Sequence, residues 1–196
     1  MSSPDVPRRT LVLGGARSGK SAHAEGLLDD LPADAAVRYV ATARRYPGDA
    51  DWDARIEQHQ RRRPAAWTTV ETGLETTLTS VLTASGPHPP TLVDDLGTWL
   101  TGVLDDDAAW DAPRGTIAPI VEALVAAVAG FDGRLLLVSP EVGLGVIPET
   151  RSGRLFRDEI GALNSRLAAV CDDVVLVVAG LPLTLKSSQL HMKGPA

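Results

Sequence analysis

The chain has 196 residues, 44% of them hydrophobic and 22% charged, with a formal net charge of -6. That length supports a sizeable buried core, and the acidic balance excludes a general nucleic-acid binder, whose affinity rests on clustered positive charge. Cys171 is the only cysteine, which excludes an internal disulfide, and no apolar run approaches the ~20 residues of a membrane span.

In chain order, residues 1–9 lack the apolar stretch of a signal peptide and read as a frayed extension. Cytoplasm is the expected location, with Cys171 as a small buried hydrophobe. Thr10–Gly14 is predicted as the first strand. It runs into Gly14-Gly15-Ala16-Arg17-Ser18-Gly19-Lys20-Ser21, the G-x-x-x-x-G-K-[ST] spacing of a phosphate-binding loop in its strand–loop–helix setting. Glycines let several backbone N–H groups converge on one anion, and the helix that follows adds its positive end. Lys20 then reaches the β/γ-phosphates, and the Ser21 hydroxyl is placed to ligate Mg²⁺. A nucleoside triphosphate, GTP or ATP, is the expected ligand.

The predicted helix Lys20–Leu31 is followed by a short strand, Val37–Thr42. Asp49–Arg63 has helical character, with acids near its start, arginines near its end and Pro64 to stop it. Within it, Arg55, His59 and Arg62 or Arg63 share a helix face. Taken alone, the pattern reads first as a solvated basic helix end. The alternative is chemical: fixed positive charge disfavours imidazolium and leaves a lone pair for attack at phosphorus. His23, His88 and His191 are weaker candidates.

Trp67–Val70 is a short predicted strand and Leu74–Ala84 a helix. Thr91–Val93 is a strand entering Asp94-Asp95, where a phosphate loop's second magnesium partner belongs. Asp94 is the preferred ligand, and a helix N-cap is the other role open to either acid. Helices are predicted across Thr98–Leu104, Ile117–Val128 and Arg151–Val170. Leu135–Val138 and Val174–Val178 are apolar strands of the kind buried on both faces. Gly180-Leu181-Pro182 is read as a turn into an antiparallel edge at Leu183–Lys186. Ser139–Glu149, leaving a buried strand at the sheet's ligand-binding edge, reads either as a loop packing on its own side chains or, as its position favours, as a shaped wall for a large, partly apolar substrate. Strands alternating with helices imply an α/β, P-loop NTPase-like three-layer fold. One domain is expected over residues 10–186, with a peripheral tail over 187–196 and a mostly parallel sheet with an antiparallel C-terminal edge strand.

Together, these segments resemble the bifunctional adenosylcobinamide kinase / adenosylcobinamide-phosphate guanylyltransferase family of cobalamin biosynthesis. The likeness runs from Thr10 to about Lys186. It is carried by the loop at 14–21, Tyr39-Val40-Ala41-Thr42, Arg55-Ile56 with His59 ahead of Arg63-Pro64, Trp67, Glu71 and Asp94. Glu141-Val142-Gly143-Leu144-Gly145 with Pro148-Glu149, Phe156-Arg157-Asp158 and Asn164 complete it. The resemblance implies phosphorylation of adenosylcobinamide by ATP or GTP. It further implies transfer of GMP from GTP, through a guanylyl-histidine at His59, to adenosylcobinamide phosphate. Where some members carry two adjacent histidines, this chain has Gln58-His59, so His59 alone can serve. Ala41-Thr42-Ala43, Gln60-Arg61-Arg62-Arg63 and Glu71 are implied near the guanine nucleotide, and a homotrimer is the implied assembly. Gly97 and Gly102 stand where relatives often carry Thr and Asn. The alternatives are a small-molecule kinase without guanylyl transfer and a nucleotide-binding regulatory module without chemistry.

Overall fold

The computed structural model describes residues 8–44, 48, 54, 56–57 and 63–188. Its sheet contains β1 (Arg9–Gly14), β2 (Arg38–Ala41), β3 (Thr68–Glu71), β4 (Thr91–Asp94), β5 (Leu135–Pro140), β6 (Asp173–Val178) and β7 (Leu181–Lys186). The strands lie in the order β3-β2-β4-β5-β1-β6-β7. Every pair is parallel except the β6–β7 hairpin.

The period-two alternation of side chains divides each apolar run between two cores. Leu11, Val93, Leu135 and Leu137 face the helices α2 (Leu78–Leu82), α3 (Leu96–Asp106), α4 (Ala118–Ala129) and α5 (Arg151–Val170). Val12, Leu92, Leu136 and Val138 face α1 (Lys20–Gly26) on the other side, with Ala24, Leu28 and Tyr39. The sheet is therefore buried on both faces, which is why its central strands carry no polar alternation.

Within the described residues the expected strands and helices are present, while several ends move; the helix expected over Asp49–Arg63 lies largely outside the described residues. Expected to run to Leu31, α1 stops at Gly26, and 27–31 continue as tight turns such as Leu28 N–H to Glu25 O at 3.0 Å. Gly26 and the Asp29-Asp30-Leu31-Pro32 run do not sustain a helix. The helix expected over Leu74–Ala84 is confined to Leu78–Leu82, because Thr77 caps it by accepting the Ser80 N–H. The hairpin turn is Ala179-Gly180, with φ of 51° and 80°, the two-positive-φ loop that matches strand twist. Leu181 and Pro182 already belong to β7, a position open to proline because β7 is an edge strand.

From β1 the chain leaves by α1 on one face towards β2. From the adjacent β5 it leaves by α5 on the other face towards β6. The crevice at such a reversal, outside the carboxyl ends of the strands, is where open α/β sheets bind ligands. The loops after β1 and β5 flank it.

Candidate functional site

The loop after β1 is bent by steric necessity. A Cβ on Gly14 would stand 2.4 Å from Ser18 Oγ and 2.8 Å from Val177 O. Arg17 (φ 55°) and Gly19 (φ 92°) turn the backbone through the left-handed region. The curve is closed by Ser18 N–H to Gly15 O at 3.3 Å and tied to the β6–β7 turn by Gly180 N–H to Ser18 O at 2.8 Å. Lys20 is buried, and its ammonium folds back towards Gly15 O at 3.4 Å. Ala16 and Arg17 are exposed at the mouth.

The two acids at the end of β4 divide the roles that the sequence left open to either. The Ser21 hydroxyl donates to Asp94 Oδ1 at 3.2 Å, joining the start of α1 to the end of β4. Asp95 turns away and caps α3, accepting the Thr98 N–H at 2.9 Å. Burial, with the neighbouring Asp94 charge, holds the Asp95 carboxyl above its ordinary range. Asp94 has a partner that sequence reasoning missed: Tyr39 on β2 donates its hydroxyl to Asp94 Oδ2 at 2.8 Å. Burial first, and then the Asp94 charge, push the Tyr39 phenol well upward, so it remains a protonated donor.

Strand register brings the next candidates alongside. Ala41 on β2 pairs with Glu71 on β3 and with Asp94 on β4, placing the three in one row across the carboxyl edge. Thr42 is buried and donates to Asp95 O at 2.6 Å. Ala43 follows it, half-buried. A cavity of about 220 Å³ opens beside this row, lined by Thr42, Arg44, Thr72, Thr98 and Trp99 among others. Arg44 forms a two-bond pair with Asp106, at 2.7 and 2.6 Å, that lowers the Asp106 pKa. Gly102 makes room for it, since a Cβ there would stand 2.9 Å from Arg44 Cζ. Gly97 likewise lies under Pro140, at 2.7 Å from a built Cβ to Cγ. A side chain at either position would not fit this arrangement unchanged.

His59, Gln60, Arg61 and Arg62 lie outside the described residues, as does Arg55. Arg63 is described: its guanidinium lies 3.5 Å from the centroid of the Tyr39 ring, and its Nη1 donates to Thr69 Oγ1 at 3.1 Å.

The loop after β5 is held by its backbone and exposes its apolar tip. Glu141 N–H donates to Gly14 O at 3.0 Å, joining it to the phosphate loop. Arg157 donates to Gly143 O at 2.7 Å, Arg154 to Pro148 O and Glu149 O at 3.1 and 2.6 Å, and Asn164 to Pro140 O at 3.0 Å. Leu144, Val146 and Ile147 meanwhile stand 82%, 94% and 69% exposed. The anchoring duty of Arg154, Arg157 and Asn164 was the other omission from the sequence reading. Its signal was polar residues recurring on the inner side of an otherwise amphipathic helix.

A glycine-bent loop on the central strand, a lysine within its curve, and a hydroxyl and carboxylate meeting across two elements define a phosphate-loop enzyme acting on nucleotides. A model of the cobinamide kinase / cobinamide phosphate guanyltransferase family matches residues 10–185, and the chain belongs to that family. It is 42% identical over 184 residues to the bifunctional adenosylcobalamin biosynthesis protein CobP of Pseudomonas aeruginosa, covering 93% of this chain and 99% of that one. To the corresponding CobU protein of Salmonella typhimurium it is 40% identical over 186 residues, covering 90% and 98%. Among solved structures, the P4 protein of bacteriophage phi6 in complex with ADP aligns at a TM-score of 0.41 and 13% identity, over 90% of this chain and 52% of that chain. No helix among the described residues is long and apolar enough to cross a membrane.

Proposed function

We propose that residues 10–186 act as one catalytic unit that carries both family reactions at the phosphate loop, with His59 as the nucleophile of the second. The observation that carries the reading is the meeting of Ser21 and Asp94 at 3.2 Å beside the curve that holds Lys20. In the first reaction the hydroxyl oxygen of the adenosylcobinamide side arm attacks the γ-phosphorus of ATP or GTP. The bond to the bridging oxygen breaks, the nucleoside diphosphate leaves, and the hydroxyl proton is released. In the second, an imidazole nitrogen of His59 attacks the α-phosphorus of GTP and pyrophosphate departs. A phosphate oxygen of adenosylcobinamide phosphate then attacks the guanylyl phosphorus, breaking the P–N bond and restoring the imidazole. A P–N bond conserves much of the anhydride's reactivity, so GMP can be held and passed on.

The chain's own groups supply binding and charge compensation. Amides of Gly15–Ser21 and the Lys20 ammonium grip the polyphosphate, presenting its γ-phosphate in one reaction and holding pyrophosphate in the other. A hydroxyl and a carboxylate are the hard oxygen donors suited to Mg²⁺, and Ser21 with Asp94 would hold it. When bound, the ion supplies neutralisation of charge on the phosphate oxygens. Ala41-Thr42-Ala43, Gln60-Arg61-Arg62-Arg63 and Glu71 are assigned to the guanine nucleotide, the first and last being supported by their shared row with Asp94. The exposed tip Leu144–Ile147 is assigned to the apolar flank of the corrinoid, and a homotrimer is the assembly that the family resemblance suggests.

GTP radiolabelled at its α-phosphate tests the central step. The wild-type chain is expected to acquire an acid-labile, base-stable label that chases into product with adenosylcobinamide phosphate, and His59→Ala to acquire none. An unchanged label in His59→Ala sinks the assignment.

A further inference from the structure

Asp94 is held from both sides. Its Oδ1 accepts from Ser21 at 3.2 Å and its Oδ2 from Tyr39 at 2.8 Å, so the plane of the carboxylate is set before any ligand arrives. The second contact is costly to build. It brings a phenol into a core of Val12, Leu92, Leu136 and Val138, where Tyr39 is only 2% exposed and a phenylalanine would fill the same space. A buried hydroxyl is tolerated only when bonded, and the bond it makes here is to the carboxylate that also accepts from Ser21 of the phosphate loop.

The ring has a second partner. The Arg63 guanidinium lies over it at 3.5 Å, although the Arg63 Nε is buried with no hydrogen-bond partner. The group is thus placed by stacking on the ring, helped by Nη1 to Thr69. Arg63 is thereby held on the residue that orients Asp94.

We propose that Tyr39 is a positioning residue for Asp94, and that Arg63, stacked on the ring, holds Tyr39 in that role. Tyr39 is only 2% exposed and acts through its bond to Asp94. The proposal rests on the reading of Asp94 as a metal-holding group. Outer partners of this kind tune affinity by about 10–100-fold when removed.

The test uses the full-length chain with Mn²⁺ as a paramagnetic stand-in for Mg²⁺ and a non-hydrolysable GTP analogue, followed by electron paramagnetic resonance. Tyr39→Phe keeps the ring and the core packing and removes the hydroxyl that donates to Asp94. It is expected to weaken Mn²⁺ binding about 10-fold, to lower kcat of both reactions with little change in the KM for GTP, and to leave the circular dichroism spectrum unchanged. Arg63→Met is expected to shift Mn²⁺ affinity in the same direction. The double variant should lose less than the product of the two single losses, because both act through one carboxylate. A folded Tyr39→Phe with wild-type Mn²⁺ affinity overturns the proposal; should that variant not fold, wild-type affinity in Arg63→Met does so. Asp94→Asn separates the two layers. Weakened Mn²⁺ binding there with none in Tyr39→Phe defeats this inference alone, whereas wild-type binding in Asp94→Asn defeats the reading beneath it.

Discussion

Gly14 and Gly15 are neighbours in the phosphate loop but meet different constraints. At Gly14 an added methyl group would collide with Ser18 Oγ at 2.4 Å and with the Val177 carbonyl at 2.8 Å, and the carbonyl belongs to a central strand that cannot yield. At Gly15 nothing lies within 4 Å of the built Cβ. Gly14→Ala is therefore expected to lower stability by about 1–3 kcal/mol, the usual range for overpacking, and Gly15→Ala to unfold thermally close to wild type. Calorimetric melting of the two variants checks the contrast, and equal losses would remove the steric account. The spacing of the motif was enough to single out Lys20 and Ser21, because the pattern itself encodes the geometry. It could not choose between Asp94 and Asp95, which have the same side chain at successive positions. Their places in the fold decide: Asp94 ends β4 and meets Ser21, while Asp95 is the N-cap of α3 and accepts the Thr98 N–H. Tyr39 was legible as a core aromatic but not as a donor, since its partner lies 55 residues along the chain.

At the scale of elements, α5 does two things. Leu155, Ile160, Leu163 and Leu167 are buried against the sheet, while Arg154, Arg157 and Asn164 fasten the backbone of the loop after β5. Asn164 is the innermost of these. Its Oδ1 accepts from the fully buried Ser139 hydroxyl at 2.6 Å, and its Nδ2 donates to Pro140 O. Asn164→Ala leaves that hydroxyl without its acceptor, and a loss of about 1–3 kcal/mol is expected. Because the same residue fixes the loop's first turn, the KM for adenosylcobinamide phosphate should rise more than that for GTP. Urea unfolding together with steady-state kinetics checks both halves, and a stability loss without a KM change would confine Asn164 to the core. The limits of α5 were readable to the residue, since its amphipathic period runs unbroken for twenty residues. The limits of α1 and α2 were not, because glycine, capping threonine and turn geometry ended them within apolar sequence.

At the scale of the whole molecule, the first strand and the last helix are joined by charge. Asp172, between α5 and β6, accepts from the Arg9 backbone N–H at 2.9 Å, from its Nε at 3.3 Å and from its Nη2 at 3.1 Å. Burial opposes ionisation of this carboxyl, but the Arg9 bonds and charge outweigh it and hold the Asp172 pKa below its ordinary value. A carboxylate depressed in the folded state contributes stability above its unfolded pKa of about 3.9, and loses it as pH falls through the lower folded value. Partial exposure screens the pair, so Asp172→Asn is expected to cost about 1 kcal/mol near neutrality. The difference from wild type should shrink as pH drops below about 4. Unfolding free energies across that range decide it, and a difference that does not change with pH would assign the loss to packing instead. The amino-acid sequence by itself determined the strand–loop–helix at 14–21, the alternation of strands and helices, and the family, because each is written in short-range spacing and composition. Only the tertiary structure decided the strand order, the crevice between the loops after β1 and β5, and the meeting of Ser21, Tyr39 and Asp94. Those depend on which strands lie side by side and in what register, and no local pattern encodes contacts between residues so far apart in the chain.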